Sequence, residues 1–519
     1  MKIVAAPVVA AALMISACSS LPGETGAGAA LSDTKSKPQP PTPTGDAWFD
    51  AGQQALYARK AQSRPKGKAR NVILFVGDGM DISTVTAARI FDGQSRGEPG
   101  EENVLSFETF PHVALAKTYT TDYQVADSAG TASAMVTGVK TRSGVLSIDA
   151  SVRRSDCAAA LSNAVTTIAE RAERAGLATG VVSTAAITHA TPAAAYAHSA
   201  DRNWGADADM PDAARQAGCI DIARQLIEFD AGDGLDIALG GGRANFLPSA
   251  VQDPEYPETK GRRADNRNLT AEWIAKSTQH AYVWNRADFE TIGADQKLLG
   301  LFEPSHMQFE TDRPDDGAGE PSLAEMTRKA IAALSRDDDG FFLLVEAGRI
   351  DHAHHAGNAY RALKDTQAYA EAVQAARDLT SSEDTLIIVT ADHGHTMTIQ
   401  GYPKKNADIL GLVVVGNETG AMPLPAPGDG KPYTTLSYAN GPGALFSRGA
   451  NLEDGRPAPT QDEATDKNYR QQSLIPTGSE THGGQDVPIY AVGPNAYLVS
   501  GVMEQNVIYH IMADALGLE

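Results

Sequence analysis

The 519-residue sequence predicts an α/β protein with a mainly parallel central sheet, helices on both faces, and insertions between its elements. Two observations predict this. Short apolar runs alternate with segments of helical periodicity, as in a parallel sheet covered on both sides. Three of the runs also end in an acid: Asn71 to Val76 leads into Gly77 and Asp78, Phe341 to Val345 into Glu346, and Thr385 to Thr390 into Ala391, Asp392 and His393. Ligands of open α/β sheets bind beyond the carboxyl ends of strands, so these acids are expected in one crevice.

The N-terminus, residues 1–18, reads as an export signal: Lys2, an apolar stretch from Ile3 to Ile15, then Ser16, Ala17 and Cys18. The stretch is short for a bilayer span, and small residues before a cysteine resemble a bacterial lipobox, which makes Cys18 the lipid-carrying residue. An ordinary cleaved signal with an incidental cysteine is the alternative. Residues 19–45 include Pro38, Pro40, Pro41 and Pro43 among Gly, Ser and Thr, so they read as a flexible tether. The catalytic domain is expected over 46–519, opening with a helical segment from Asp46 to Lys60.

Ser128 follows Asp127 at an expected helix start. Ala159 to Ala175 sets Leu161, Val165, Ile168 and Ala172 near one helical face and stops at Gly176, ahead of a strand from Thr179 to Ser183. Ser322 to Leu334 carries Leu323, Met326, Ala330 and Leu334 and leads into the strand at Phe341. Tyr360 to Leu379 links that strand to the one at Thr385. Pro248 to Arg313 is polar, and Gly401 to Gln472 is rich in Gly, Pro and Asn; both fit the alternation poorly and read as insertions or a cap, near 248–320 and 401–472.

With 44 basic against 65 acidic residues the formal charge is −21, which repels a nucleic-acid backbone, so no nucleic-acid binding is expected. An anionic substrate then needs local positive charge, which divalent metals and an arginine supply. Besides Cys18, only Cys157 and Cys219 are present. An even pair in an exported chain favours a disulfide, with two free buried thiols as the alternative.

The chemistry concentrates in three places. Asp127-Ser128 sets a hydroxyl beside a carboxylate at a helix N-terminus, which points to a metal-activated serine nucleophile. Between Glu346 and His355, Asp351 and His355 stand four apart, so one helical turn puts both on one face, and carboxylate with imidazole suits zinc. Asp392-His393 adds a second acid and histidine pair just past a strand. Isolated histidines are usually structural, but two such clusters after apolar strands favour metal binding.

Six segments, in order, resemble the alkaline phosphatase family, and its animal-type branch in particular: NVILFVGDGMDISTVTAARI, VADSAGTASAMVTGVKT, THATPAAAYAHSADRNW, FFLLVEAGRIDHAHH, TLIIVTADHGH and ETHGGQDVPIYAVGP. The resemblance implies hydrolysis of small phosphate monoesters through a phosphoserine at a site of two zinc ions and one magnesium. Asp351, His355 and His482 would hold the first zinc, and Asp78, Asp392 and His393 the second, with Ser128 completing its shell. Asp78 would bridge to magnesium, joined by Thr191 and Glu346. Arg202 would grip the phosphoryl group, oriented by Asp127, with His189 bordering the substrate in the outer shell of the magnesium. Histidine at 189 and 352, where some bacterial members carry aspartate and lysine, resembles the animal enzymes.

The family also implies a Cys157–Cys219 disulfide, a homodimer, and a calcium site made by Glu255, Glu303 and the Phe302 carbonyl. Glu320 would be the fourth calcium ligand if the loop after Asp312, two residues longer here, realigns. With the lipobox, the resemblance implies a periplasmic or cell-envelope enzyme touching the membrane only through its anchor. Two other functions compete: phosphodiester or sulfate-ester hydrolysis on the same fold, and a noncatalytic metal-binding lipoprotein. Ser128 with Arg202 argues against the first, and the complete ligand set against the second.

Overall fold

A computed structural model describes residues 67–413, 427–444 and 455–518. Cys18, the tether at 19–45 and the helical segment at 46–60 lie outside the described residues, as do parts of 401–472. None of the described helices is long and apolar enough to cross a membrane.

Ten strands form the central sheet: β1 (Asn71–Gly77), β2 (His112–Lys117), β3 (Ala178–Ala186), β4 (Ile237–Gly241), β5 (His280–Val283), β6 (Lys297–Leu301), β7 (Phe341–Ala347), β8 (Thr385–Ala391), β9 (Val487–Val492) and β10 (Gly501–Glu504). Their order is β10-β2-β9-β8-β1-β7-β3-β4-β6-β5. Every neighbouring pair is parallel except the two made by β9, which runs against β2 and β8. The central strands β1, β7 and β8 are buried along their whole length. That accounts for their unbroken apolar sequences, since both faces are covered.

Five helices bear on the site: α1 (Ser128–Thr137), α2 (Ala190–Ala194), α3 (Leu323–Leu334), α4 (Arg349–His355) and α5 (Ala359–Leu379). In α3, Leu323, Met326, Ala330 and Leu334 are buried as their spacing predicts, and Ser322 closes a capping box with Glu325. Met326→Ala there costs about 2–5 kcal/mol through the cavity it opens.

Two sequence expectations need correction. The helix expected from Ala159 to Ala175 is two short helices, Cys157–Ala160 and Ile168–Arg174, because Thr167 caps the second in a box with Glu170 and Ala164 bridges to Ile148. The polar stretch 248–313, read as outside the core, supplies β5 and β6 to the edge of the sheet, with Trp273, Leu298, Leu299 and Leu301 buried. Its short strands alternate too little to stand out from the polar loops between them. Within 401–472, Leu436–Gly441 pairs with Met397–Ile399 and Ser473–Pro476 in a separate three-stranded sheet.

Candidate active site

Strand register places the acids. Pairing of β1 with β7 sets Val76 against Glu346, and pairing of β1 with β8 sets Gly77 against Ala391. Glu346 thus lies near the end of β7, while Asp78 and Asp392 follow directly on β1 and β8, and all three are fully buried. Gly79 turns the chain after Asp78 with φ 71° and donates its N–H to Asp392 Oδ1 at 2.9 Å. A Cβ on Gly79 would run into the His395 ring, so the turn requires glycine twice over.

Helix α4 begins directly after β7 and carries Asp351 and His355 on one face, with His355 Nε2 3.3 Å from Asp351 Oδ1. His482 comes from far along the chain. A two-residue antiparallel ladder pairs it with His395, and Gly483 with Gly394. His482 Nε2 then stands 3.4 Å from Asp351 Oδ1 and 3.1 Å from His355 Nε2. His393 Nε2 lies 3.3 Å from Asp392 Oδ2 and 3.4 Å from Asp78 Oδ1.

Asp127 caps α1, accepting from Gly130 N–H at 3.1 Å, and Ser128 is the first helical residue. Ser128 Oγ is 3.2 Å from His393 Nε2 and 3.5 Å from Asp78 Oδ1. The other Asp127 oxygen accepts from Arg202 Nη1 at 3.0 Å and from Gly144 N–H at 2.9 Å. Arg202 Nη2 donates to His189 Nε2 at 3.1 Å, and a cavity of about 560 Å³ opens beside these two residues.

The electrostatics need compensation by positive charge. Burial first, then Asp392 and Asp351, push Asp78 well above the usual carboxylate range. Burial also raises Asp392, and lifts Glu346 to about 7. Asp351 goes the other way: burial opposes its charge, but His355, His395 and His482 hold it well below the ordinary value. Burial drives His393 well below the ordinary imidazole value and also lowers His355.

Several observations show that the donors fit metal ions. Nδ1–H of His355 donates to the Glu480 carbonyl at 2.6 Å, that of His482 to the Ala126 carbonyl at 2.8 Å, and that of His393 to the Gly394 carbonyl at 3.3 Å. Each ring is thereby fixed with an Nε2 lone pair facing the carboxylates, as ligating histidines are. Two such lone pairs 3.1 Å apart, on His355 and His482, repel unless a cation lies between them. Deeper in, no described protein atom hydrogen-bonds the buried Asp78 Oδ2, Glu346 Oε1, Thr191 Oγ1 or His189 Nδ1. Burying an unpaired carboxylate oxygen is expensive, and a hard cation satisfies such oxygens. Ligand atoms of Asp78, Glu346 and His189 lie within 4.8 Å of one another. A His189 ring nitrogen thus lies beside this group, and His352 packs its ring 5.4 Å from that of His189.

The calcium expectation changes in one member. Glu255 and Glu303 converge with Asp316, not with Glu320. The turn Arg313–Asp315 carries Asp316 to Tyr256, whose hydroxyl donates to Asp316 Oδ1 at 3.4 Å and to Glu303 Oε1 at 3.1 Å. Glu320 lies near enough for Glu303 and Asp316 to raise its carboxyl, while its Oε1 accepts Gln308 N–H at 2.9 Å. Phe302 directly precedes Glu303, its buried ring edge-on to Phe289.

Sequence reasoning missed three residues here. His395 donates to Asp351 at 2.8 Å and to Glu480 at 2.6 Å, and these two acids, against burial, raise it to about 10. His306 packs its ring 4.2 Å from His352 and 5.4 Å from His189. The alternation His393, Gly394, His395 was a usable signal for the first; Glu480 and His306 sit in loops and offered none.

The alkaline phosphatase family model matches residues 69–518. An alkaline phosphatase of Gadus morhua is 44% identical over 476 residues, covering 90% of this chain and 96% of the relative. The tissue-nonspecific isozyme of Homo sapiens is 43% identical over 477 residues, covering 90% and 88%. The crystal structure of Thermus thermophilus alkaline phosphatase superposes with a TM-score of 0.61 at 26% identity, covering 88% of this chain and 93% of that one. The chain belongs to the alkaline phosphatase family, whose members are metalloenzymes acting on phosphate monoesters.

Proposed function

We propose that this member of the family hydrolyses small phosphate monoesters through a phosphoserine on Ser128. The observation that carries the reading is the position of Ser128 Oγ. It lies at the N-terminus of α1, between His393 and Asp78, one residue from the carboxylate that holds Arg202.

Asp351, His355 and His482 would hold one zinc, Asp78, Asp392 and His393 a second, and Asp78, Glu346 and Thr191, with His189 alongside, a magnesium; together these supply positive charge that lowers the pKa of hydroxyls and water and stabilises leaving alkoxides. Arg202, with its planar fork, holds two phosphoryl oxygens, and Asp127 and His189 fix the plane of that fork. Ser128 Oγ gives up its proton to solvent, from which the departing alkoxide later takes one, and attacks phosphorus in line. The new Oγ–P bond forms as the bond to the substrate's ester oxygen breaks, and the alcohol leaves. The positive end of α1 favours the serine alkoxide and the attached phosphate. Water then cleaves the Oγ–P bond, Ser128 recovers its proton, and Arg202 releases inorganic phosphate.

The N-terminal pattern ending at Cys18 supports delivery to the cell envelope as a lipoprotein, and the family resemblance supports a homodimer. Glu255, Glu303 and Asp316 form an oxygen-rich set suited to calcium, which the Phe302 carbonyl would complete.

The test is Ser128→Ala. Turnover of a monoester is expected to fall about 10³-fold or more while zinc content stays near two per chain, since other groups still assist a water. Wild-type turnover in the variant, or phosphate still trapped covalently at low pH, refutes the nucleophile. Hydrolysis of a monoester, a diester and a sulfate ester by one metal-replete preparation decides the reaction class.

A further inference from the structure

Arg202 sits on an irregular segment between α2 and the 3-10 turn Asp207–Asp209. Its backbone is held from two sides. On one side, Ser199 and Leu146 exchange both backbone hydrogen bonds (3.0 and 2.9 Å), and Arg202 N–H donates to Gly144 O at 2.9 Å. There too the Asp201 carboxylate is gripped by Arg154, at 3.0 and 2.8 Å, and by Ser155 Oγ at 2.8 Å. On the other side, Trp204 O and Gly205 O accept from Ile222 N–H and Ala223 N–H at 2.9 and 3.2 Å. Cys157 follows Ser155 by two positions, and Cys219 precedes Ile222 by three. The disulfide between them joins the two sides.

Beneath the bond lies an apolar cluster separate from the main core, in which Cys157 packs with Val145, Ala200, Trp204 and Met210. Ser128 and the strand-borne acids rest on the main core instead. Arg202 therefore depends on a small substructure closed by one covalent bond, whereas the helix of Ser128 packs Ala129, Ala132, Met135 and Val136 into the main core.

We propose that the Cys157–Cys219 disulfide, acting through Asp201 and Trp204, positions Arg202, so that reducing it weakens phosphate binding while the serine and the acid and histidine clusters stay in place. The inference rests on the reading of Arg202 as the phosphoryl clamp. A bidentate grip tolerates little displacement, and a misplacement of about 1 Å can cost ~10²-fold. Reduction by dithiothreitol transfers two electrons and two protons, leaving thiols at Cys157 and Cys219 and the cyclic oxidised reagent. Cys219 is half-buried, within reach of a small reductant.

The experiment uses the metal-replete full chain, oxidised or reduced and desalted, with thiols and zinc counted. KM and kcat for an aryl phosphate and inhibition by inorganic phosphate are measured. On reduction, KM and the phosphate inhibition constant are expected to rise about tenfold, kcat to change less, and zinc to remain. Asp201→Asn, with the disulfide intact, should shift the same two constants in the same direction. In an Arg202→Ala background, reduction should change neither. Unchanged phosphate affinity on reduction, loss of zinc, or an equal effect in the Arg202→Ala background each overturns the proposal. If Arg202→Ala alone leaves phosphate affinity unaltered, the clamp reading itself fails, which is a distinguishable result.

Discussion

Asp78, Glu346 and Asp392 stand at the carboxyl ends of three neighbouring parallel strands, whereas Glu255, Glu303 and Asp316 are gathered by loops at the far edge of the same sheet. In the first group the ladder register fixes Glu346 and the strand ends that Asp78 and Asp392 directly follow. In the second no ladder links the acids, and turn geometry chooses the member: Asp316 enters while Glu320, four residues on, is held by Gln308. A buried acid borne on strands is thus specified by the fold, and one borne on loops by local hydrogen bonds. This difference yields four predictions.

The largest effect is expected at the strand-borne group. Asp78→Ala should lower kcat/KM by about 10³-fold or more and remove both zinc and magnesium, whereas Asp351→Ala should chiefly empty one zinc site. Unchanged metal content in Asp78→Ala would show that the carboxylate does not bridge.

Next is the loop-borne group. Calcium should raise the melting temperature of the wild type, by about 2.7 kcal/mol of stabilisation at a hundredfold excess over Kd. Asp316→Asn should abolish the increment and Glu320→Gln should keep it. Calorimetry giving the reverse pattern would restore Glu320 as the ligand.

A third, smaller effect concerns His189, whose ring nitrogen joins the Asp78 and Glu346 group without adding negative charge. His189→Asp should tighten magnesium binding about tenfold, within the range of supporting groups at metal sites. Titration of magnesium into metal-stripped, zinc-restored enzyme measures it, and equal or weaker affinity in the variant counts against this position.

The smallest effect is a pH dependence. Burial first, with Glu303 and Asp316 adding, raises Glu320 to about 9 from an ordinary value of 4.5. The folded state then holds this proton more tightly than the unfolded chain. Its contribution to stability is full below about pH 4.5 and is lost as pH climbs through 9. In metal-free protein, Glu320→Gln should flatten the decline in stability between pH 6 and 9. Parallel profiles for the two proteins would place the titration elsewhere.

The central strands were legible because burial on both faces leaves unbroken apolar runs such as Asn71 to Val76, and the acids behind those runs had nowhere to go but one crevice. The helix from Leu323 to Leu334 was legible from its 3.6-residue apolar spacing, and the pairing of Asp351 with His355 from a four-residue interval. Nothing local marked His482 as a metal ligand: its place depends on a ladder with His395, 87 positions away, and the family resemblance alone pointed to it. The strands β5 and β6 near the sheet edge escaped notice because short strands among polar loops carry little periodicity. The tertiary structure alone decided that Asp316 joins Glu255 and Glu303, that His395 spans Asp351 and Glu480, and that one disulfide closes the two sides around Arg202. Each of these depends on where separate loops end in space, and a chain's local pattern encodes what a residue prefers, not which distant residue it will meet.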